Sequence, residues 1–136
     1  MFSFVVDSSI AAAWCFPDER TSYTNAVLQS LSPPVEAAAP RLFAYEVCNS
    51  VLMGLRRKRI TKAEAETFLR SIQDLPIRME DPESYHGLFH LADSRGLTVY
   101  DAAYLDLAIR KHLPLATLDT ALIREAGRSG IPILQF

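Results

Sequence analysis

Phe4, Val5 and Val6 close a short aromatic and β-branched run, FSFVV, that stops at Asp7, after which SSIAAAW turns to small, helix-favouring residues. The pattern predicts strand, turn, helix. A second helix fits Asp18 to Leu31, with Val27, Leu28 and Leu31 on one face, until the breaker pair Pro33 and Pro34 ends it. A short strand follows at Val35 to Ala38. The next helix runs from about Arg41 to Arg57, with apolar positions at Leu42, Tyr45, Val47, Leu52 and Leu55. Thr61 with Glu64 three residues on is a capping box, so a helix is predicted from Lys62 to about Asp74, burying Ala65, Phe68, Leu69 and Ile72. After Pro76, Ile77 to Met79 reads as a strand. Asp81 with Pro82 offers an N-cap and a first-turn proline for a helix through Tyr85, Leu88, Phe89 and Leu91 to Gly96. TVYDAAYLDLAIRKH reads as a helix, LPLATL as a buried strand, DTALIREAG as a helix closed by Gly127, and IPILQF as a terminal strand.

Short strands alternating with helices demand a parallel sheet covered on both faces, so the class is α/β: a three-layer domain with a five-stranded parallel sheet. Residues 1–136 contain no repeat and no linker, and are expected to form one domain. Composition agrees: 49% of the residues are hydrophobic and 22% charged, enough for a single core that buries roughly two thirds of the unfolded surface. With 14 Lys+Arg against 16 Asp+Glu the net charge is -2, which excludes a basic nucleic-acid tail. Cys15 and Cys48 lie in apolar helical contexts, where reduced, buried thiols and a cytosolic setting are expected. No stretch approaches the ~20 apolar residues of a membrane span. The N-terminal run reaches Asp7 too early for a signal peptide, so the mature chain is expected to begin at Met1.

Asp7 falls where the first strand ends and Asp119 where the fourth ends, and open α/β sheets bind ligands outside the carboxyl ends of their strands. Glu46 lies within FAYEVCNSVLMG and Asp101 in the first turn of the helix that begins in VYDAAYLDLA, each among apolar neighbours. An unpaired buried carboxylate is costly. Acids converging from separate segments need a neutralising ion, and oxygen-only donors select Mg²⁺ or Mn²⁺, which suit phosphodiester hydrolysis by activated water. The bland alternatives stay open: Asp7 and Asp119 also fit as helix N-caps, Asp101 as a first-turn acid, and Glu46 as a solvated helix position.

The fragments VVDSSIAAAW, YEVCNSVL, GLTVYDAAYLDLA and LATLDTAL, in this order across nearly the whole chain, resemble the PIN-domain ribonucleases and, among them, the VapC-type toxins of toxin-antitoxin pairs. The resemblance places that family's acids on Asp7, Glu46, Asp101 and Asp119, and implies that they hold Mg²⁺ or Mn²⁺ and direct hydrolysis of RNA to 5′-phosphate and 3′-hydroxyl ends. It further points to Ser8 and Thr117 as hydroxyls near the pocket, and to Asn49 as a residue that binds a ligand or orients Glu46. Its fold is a parallel five-stranded sheet with helices on both sides. It also implies a cognate antitoxin whose C-terminal segment lies across the active-site groove, and assembly as a homodimer or a toxin–antitoxin hetero-oligomer.

Other signals compete. The cluster Arg56, Arg57, Lys58 and Arg59 either contacts phosphates or simply complements a helix C-terminus. His86 and His90 share a helical face but lack a third ligand. Asp106 stands about 140° around its helix from Asp101 and is left out of the site. Dehalogenase-type phosphatases need a second Asp where this chain has Ser9, and the phosphate-binding GxxxxGK[ST] loop does not occur. The rival to an enzyme is a non-catalytic PIN-like module that binds RNA or protein.

Overall fold

The structure is a computed structural model that describes residues 2–136. Strand β1 (Phe2–Val6) leads into α1 (Ser8–Cys15) and then α2 (Ser22–Ser30). Next come β2 (Glu36–Pro40), α3 (Leu42–Arg56) and α4 (Lys62–Gln73), then β3 (Ile77–Glu80) and α5 (Tyr85–Arg95). The chain continues through α6 (Val99–Lys111), β4 (Leu115–Ala116) and α7 (Thr120–Arg128). The strands are parallel, in the order β3-β2-β1-β4. Ser3, at the start of β1, is exposed, but Phe4, Val5 and Val6 are all buried, as are Ala37, Ala38 and Ala39, so along these stretches neither face of β1 or β2 meets water. That is the signature of central parallel strands roofed by helices on both sides. Helix α6 lies against β1 and β2, while α1 packs on α2 and α3.

The expected fifth strand is not a strand. Ile133 makes one isolated parallel bridge to Leu115, carried by Leu115 N–H to Pro132 O and Leu134 N–H to Leu115 O, both 2.9 Å. Pro132 has no N–H to extend it, and β4 itself is cut to two residues, so among the described residues the sheet has four strands.

Several helix ends also moved. Thr21 and Thr24 cap α2 reciprocally, and Asp18 sits instead in a separate 3₁₀ turn at Pro17–Glu19. Ser84, not Asp81, starts α5 by accepting the Gly87 N–H at 3.0 Å, because Asp81 is drawn to Arg41 at 2.8 Å. Helix α7 runs past Gly127 to Arg128, and the positive φ of 72° that turns the chain falls on Gly130. In α3 the buried stripe is Phe43, Val47, Val51 and Gly54; Tyr45 and Leu52 face outward, and Cys48, expected to be buried, is exposed. The capping box at Thr61 and Glu64 stands as read.

Gly54 lets α3 approach the Phe16 ring. A Cβ at this position would meet Phe16 Cε1 and Cζ at 2.4 Å, and Phe16 is buried with the Arg59 guanidinium 4.0 Å above its ring. Gly54→Ala is therefore expected to destabilise the fold by about 1–3 kcal/mol, read as a lower urea midpoint with an unchanged slope.

Candidate active site

The β1/β4 register pairs Val6 with Ala116, so Asp7 and Thr117 leave adjacent strand ends side by side. Asp7 occupies the N-cap position of α1, yet its side chain makes no cap. Its Oδ2 instead accepts two hydroxyls, Ser9 Oγ and Thr117 Oγ1, each at 2.7 Å. Those hydroxyls in turn accept backbone N–H groups from the loop after β4: Leu118 N–H to Ser9 Oγ at 3.0 Å and Asp119 N–H to Thr117 Oγ1 at 3.0 Å. Asp119 is thereby fixed beside Asp7, and its own Oδ1 caps α7 by accepting the Leu122 N–H at 3.0 Å.

Helix α3 brings Glu46 in just over one turn after its start. Glu46 Oε1 accepts Ser8 Oγ at 3.2 Å and the Tyr104 hydroxyl at 2.5 Å. Thr98 caps α6 by accepting the Asp101 N–H at 3.1 Å, which sets Asp101 at the head of that helix. Tyr104, three residues later and fully buried, lies on the same face as Asp101.

The electrostatics draw the acids into one set. Burial pushes the Asp7 carboxyl above its ordinary range against the Ser9, Thr117 and Ser8 hydrogen bonds, and Asp119 raises it further. Burial also raises Glu46, with Asp7 and Asp101 adding to the rise and Tyr104 and Ser8 opposing it. Asp101 is raised by burial and then by the charges of Asp119 and Asp7. Burial and the Glu46 carboxylate together push the Tyr104 hydroxyl far up, so it remains a donor at any working pH. Among the described residues no ion pair engages Asp7, Glu46, Asp101 or Asp119.

Asp7, Glu46 and Asp119 each commit one oxygen to a hydroxyl or an N–H, and among the described residues no three acid, histidine or cysteine side chains form a ready-made ion cage. The donor set nevertheless fits a hard divalent cation: oxygen-only, crowded with like charge and, among the described residues, not paired with Lys or Arg, it lacks the positive charge that would make its burial favourable.

Ser8 joins this set through Glu46, and Thr117 through Asp7. Asn49 does not. It lies one turn beyond Glu46, exposed, on a groove between α1 and α3. Ser9 and Tyr104 were missed as site residues. For Ser9 the available signal was a hydroxyl two positions after a strand-end Asp; for Tyr104 it was an aromatic hydroxyl one turn after Asp101. His86 and His90 stack at 6.4 Å on exposed helix surface, and Asp106 is paired with Arg110 at 2.9 Å.

Tyr104→Phe removes the shorter of the two hydrogen bonds on Glu46 without opening a cavity. It is expected to weaken Mn²⁺ binding by about 10–100-fold, as loss of an outer-shell partner generally does, read by titration calorimetry on a chain whose thermal melt changes little.

The family model described as PIN domain matches residues 4–128, and the chain belongs to the PIN-domain family. It is similar to Ribonuclease VapC3 of Pyrobaculum aerophilum, with 34% identity over 121 residues, covering 87% of this chain and 90% of that protein. The crystal structure of PAE2754 from Pyrobaculum aerophilum shares the fold, with a TM-score of 0.72 at 23% identity over 91% of this chain and 84% of that one.

Proposed function

We propose that this chain is a VapC-type, metal-dependent endoribonuclease in which Asp7, Glu46, Asp101 and Asp119 hold a divalent cation, Mg²⁺ or Mn²⁺, at the carboxyl edge of the sheet. The observation that carries the reading is the mutual charge repulsion of these buried and half-buried acids, with no ion pair to any of them among the described residues. A bound divalent ion would neutralise them and lower the pKa of a water for attack on a phosphodiester. The protein's own work is positional. The Ser9 and Thr117 hydroxyls point Asp7 and tie down the loop that carries Asp119. Tyr104 and Ser8 hold Glu46 so that its second oxygen is the one available to a ligand. No side-chain nucleophile is needed.

The relative's name, Ribonuclease VapC3, supports RNA as the substrate. A cognate antitoxin that covers the acids in the resting state, and assembly as a homodimer or with that antitoxin, complete the proposal, along with a cytoplasmic site of action. Among the described residues no helix is long and apolar enough to cross a membrane. The test is cleavage of structured RNA by the chain free of antitoxin, with Mn²⁺ and again with chelator. Metal-dependent cutting that leaves 5′-phosphate ends is expected; metal-independent binding without cutting would favour a binding module instead.

A further inference from the structure

Helices α1 and α3 both start at the carboxyl edge of the sheet and pack together, and a groove of about 270 Å³ runs between them away from the acids. Ala12 and Asn49, the lining residues nearest that edge, lie about one helical turn after Ser8 and Glu46, which are joined by a hydrogen bond. With them Ser50, Met53 and Gly54 line the groove, and Arg57 closes its far end. On α3 this is one stripe: Arg57 lies about 20° around the helix from Glu46 and about 16 Å further along.

The four cations at the end of α3 are not equivalent. Arg59 is spent on Asp18 at 2.9 Å and Glu19 at 2.8 Å, and its guanidinium covers Phe16. That pairing also neutralises Glu19, the one acid on the groove wall. Lys58 sits in a left-handed turn with φ 60°. Arg56 is exposed but points about 80° away from the Glu46 stripe and does not line the groove. Arg57 is exposed and faces the groove; its backbone N–H caps α3 on Met53 O at 2.9 Å, while among the described residues its guanidinium makes no ion pair or hydrogen bond.

We propose that the α1–α3 groove is a subsite for single-stranded RNA flanking the cleavage point, with Arg57 as its phosphate anchor and Asn49 and Ser50 as hydrogen-bonding positions for sugar or phosphate. The inference rests on the ribonuclease reading above and deepens it. A pocket of repelling acids on an acidic protein gives a polyanion no affinity by itself, so the attraction must come from a neighbouring positive charge that a strand can reach while its scissile phosphate lies at the acids. Arg57 meets that condition, in line with Glu46 along an open polar groove.

Two substitutions with the same change in charge separate this from general electrostatics. Binding of a fluorescent single-stranded RNA oligonucleotide is read by anisotropy in chelator over a range of salt, so that it does not depend on cleavage. Arg57→Gln is expected to weaken binding about tenfold and to reduce the slope of log K against log[salt] by about 0.7, one phosphate contact on a single strand, while Arg56→Gln stays close to the unmodified chain. In Mn²⁺, Arg57→Gln is expected to raise KM with little change in the saturated single-turnover rate. Equal effects of the two substitutions, or no salt-sensitive RNA binding by the unmodified chain, would overturn the subsite. Absence of cleavage with the binding pattern intact would count against the acids' role and leave the groove standing.

Discussion

Asp7→Asn or Asp101→Asn is expected to reduce RNA cleavage by about 10³-fold or more, several kcal/mol of transition-state stabilisation, in a chain that still folds. Each change removes one negative charge from the acids proposed to hold a doubly charged ion, and changes little else. Asn has the shape of Asp, and at position 7 it retains an oxygen that can accept the Ser9 and Thr117 hydroxyls. At position 101 the Thr98 cap is made to the backbone N–H and survives. Single-turnover cleavage in Mn²⁺, set beside circular dichroism and a melting curve, checks it. A well-folded variant that cuts at the normal rate would take these two acids out of the mechanism.

The second large effect is on stability, and it has an unusual sign. Asp7, Glu46 and Asp101 all have carboxyls raised in the folded state above their ordinary values of 3.8, 4.5 and 3.8, each chiefly by burial. Such groups bind protons more tightly folded than unfolded, so their contribution is complete below the ordinary values and is lost as the pH climbs through the raised ones. The metal-free chain is therefore expected to melt at a higher temperature as the pH is lowered from neutrality toward the mid-4s. Asp7→Asn is expected to raise the neutral-pH melting point by a few degrees, corresponding to about 0.5–2 kcal/mol. Glu64 and Asp81, held low by Thr61 and by Arg41, act in the opposite direction, but they are exposed and contribute little. Mn²⁺ at about a hundred times its Kd should add about 2.7 kcal/mol near neutrality and progressively less in acid, where protons compete for the ligands. Calorimetric melts across pH, with chelator and with Mn²⁺, test both halves. A steady fall in melting temperature on acidification from neutrality in chelator would contradict the electrostatic coupling described for these acids.

Where the chain carried strong local signals, the sequence was a good guide. The capping box at Thr61 and Glu64, the Pro33–Pro34 break and the aromatic and β-branched run FSFVV before Asp7 each act over a few residues, and the helix start, helix end and strand they mark appear where expected. Elements decided by distant partners were less legible. Asp81 looked like a helix cap until Arg41, forty positions away, claimed it, and IPILQF looked like a strand although its neighbour offers only two residues to pair with. The meeting of Asp7, Glu46, Asp101 and Asp119 followed from strand ends and helix starts, because parallel α/β topology fixes where those points lie. Their supporting hydroxyls were hidden for a different reason. Tyr104 sits in a run of apolar residues at helical spacing, and only its pairing with Glu46, 58 positions away, distinguishes it from an ordinary core aromatic. Cys48 and Tyr45 were misjudged because an apolar letter on a helix does not reveal which way that helix faces.

The strand that closes the acid pocket is the thinnest part of the sheet. β4 contributes two residues, held to β1 by Val5 N–H to Pro114 O and Asp7 N–H to Ala116 O, and it is flanked on its outer side by a single bridge. Loosening at this border would carry Thr117 and Asp119 away from Asp7, so the placing of these acids hangs on the pairing of two residues.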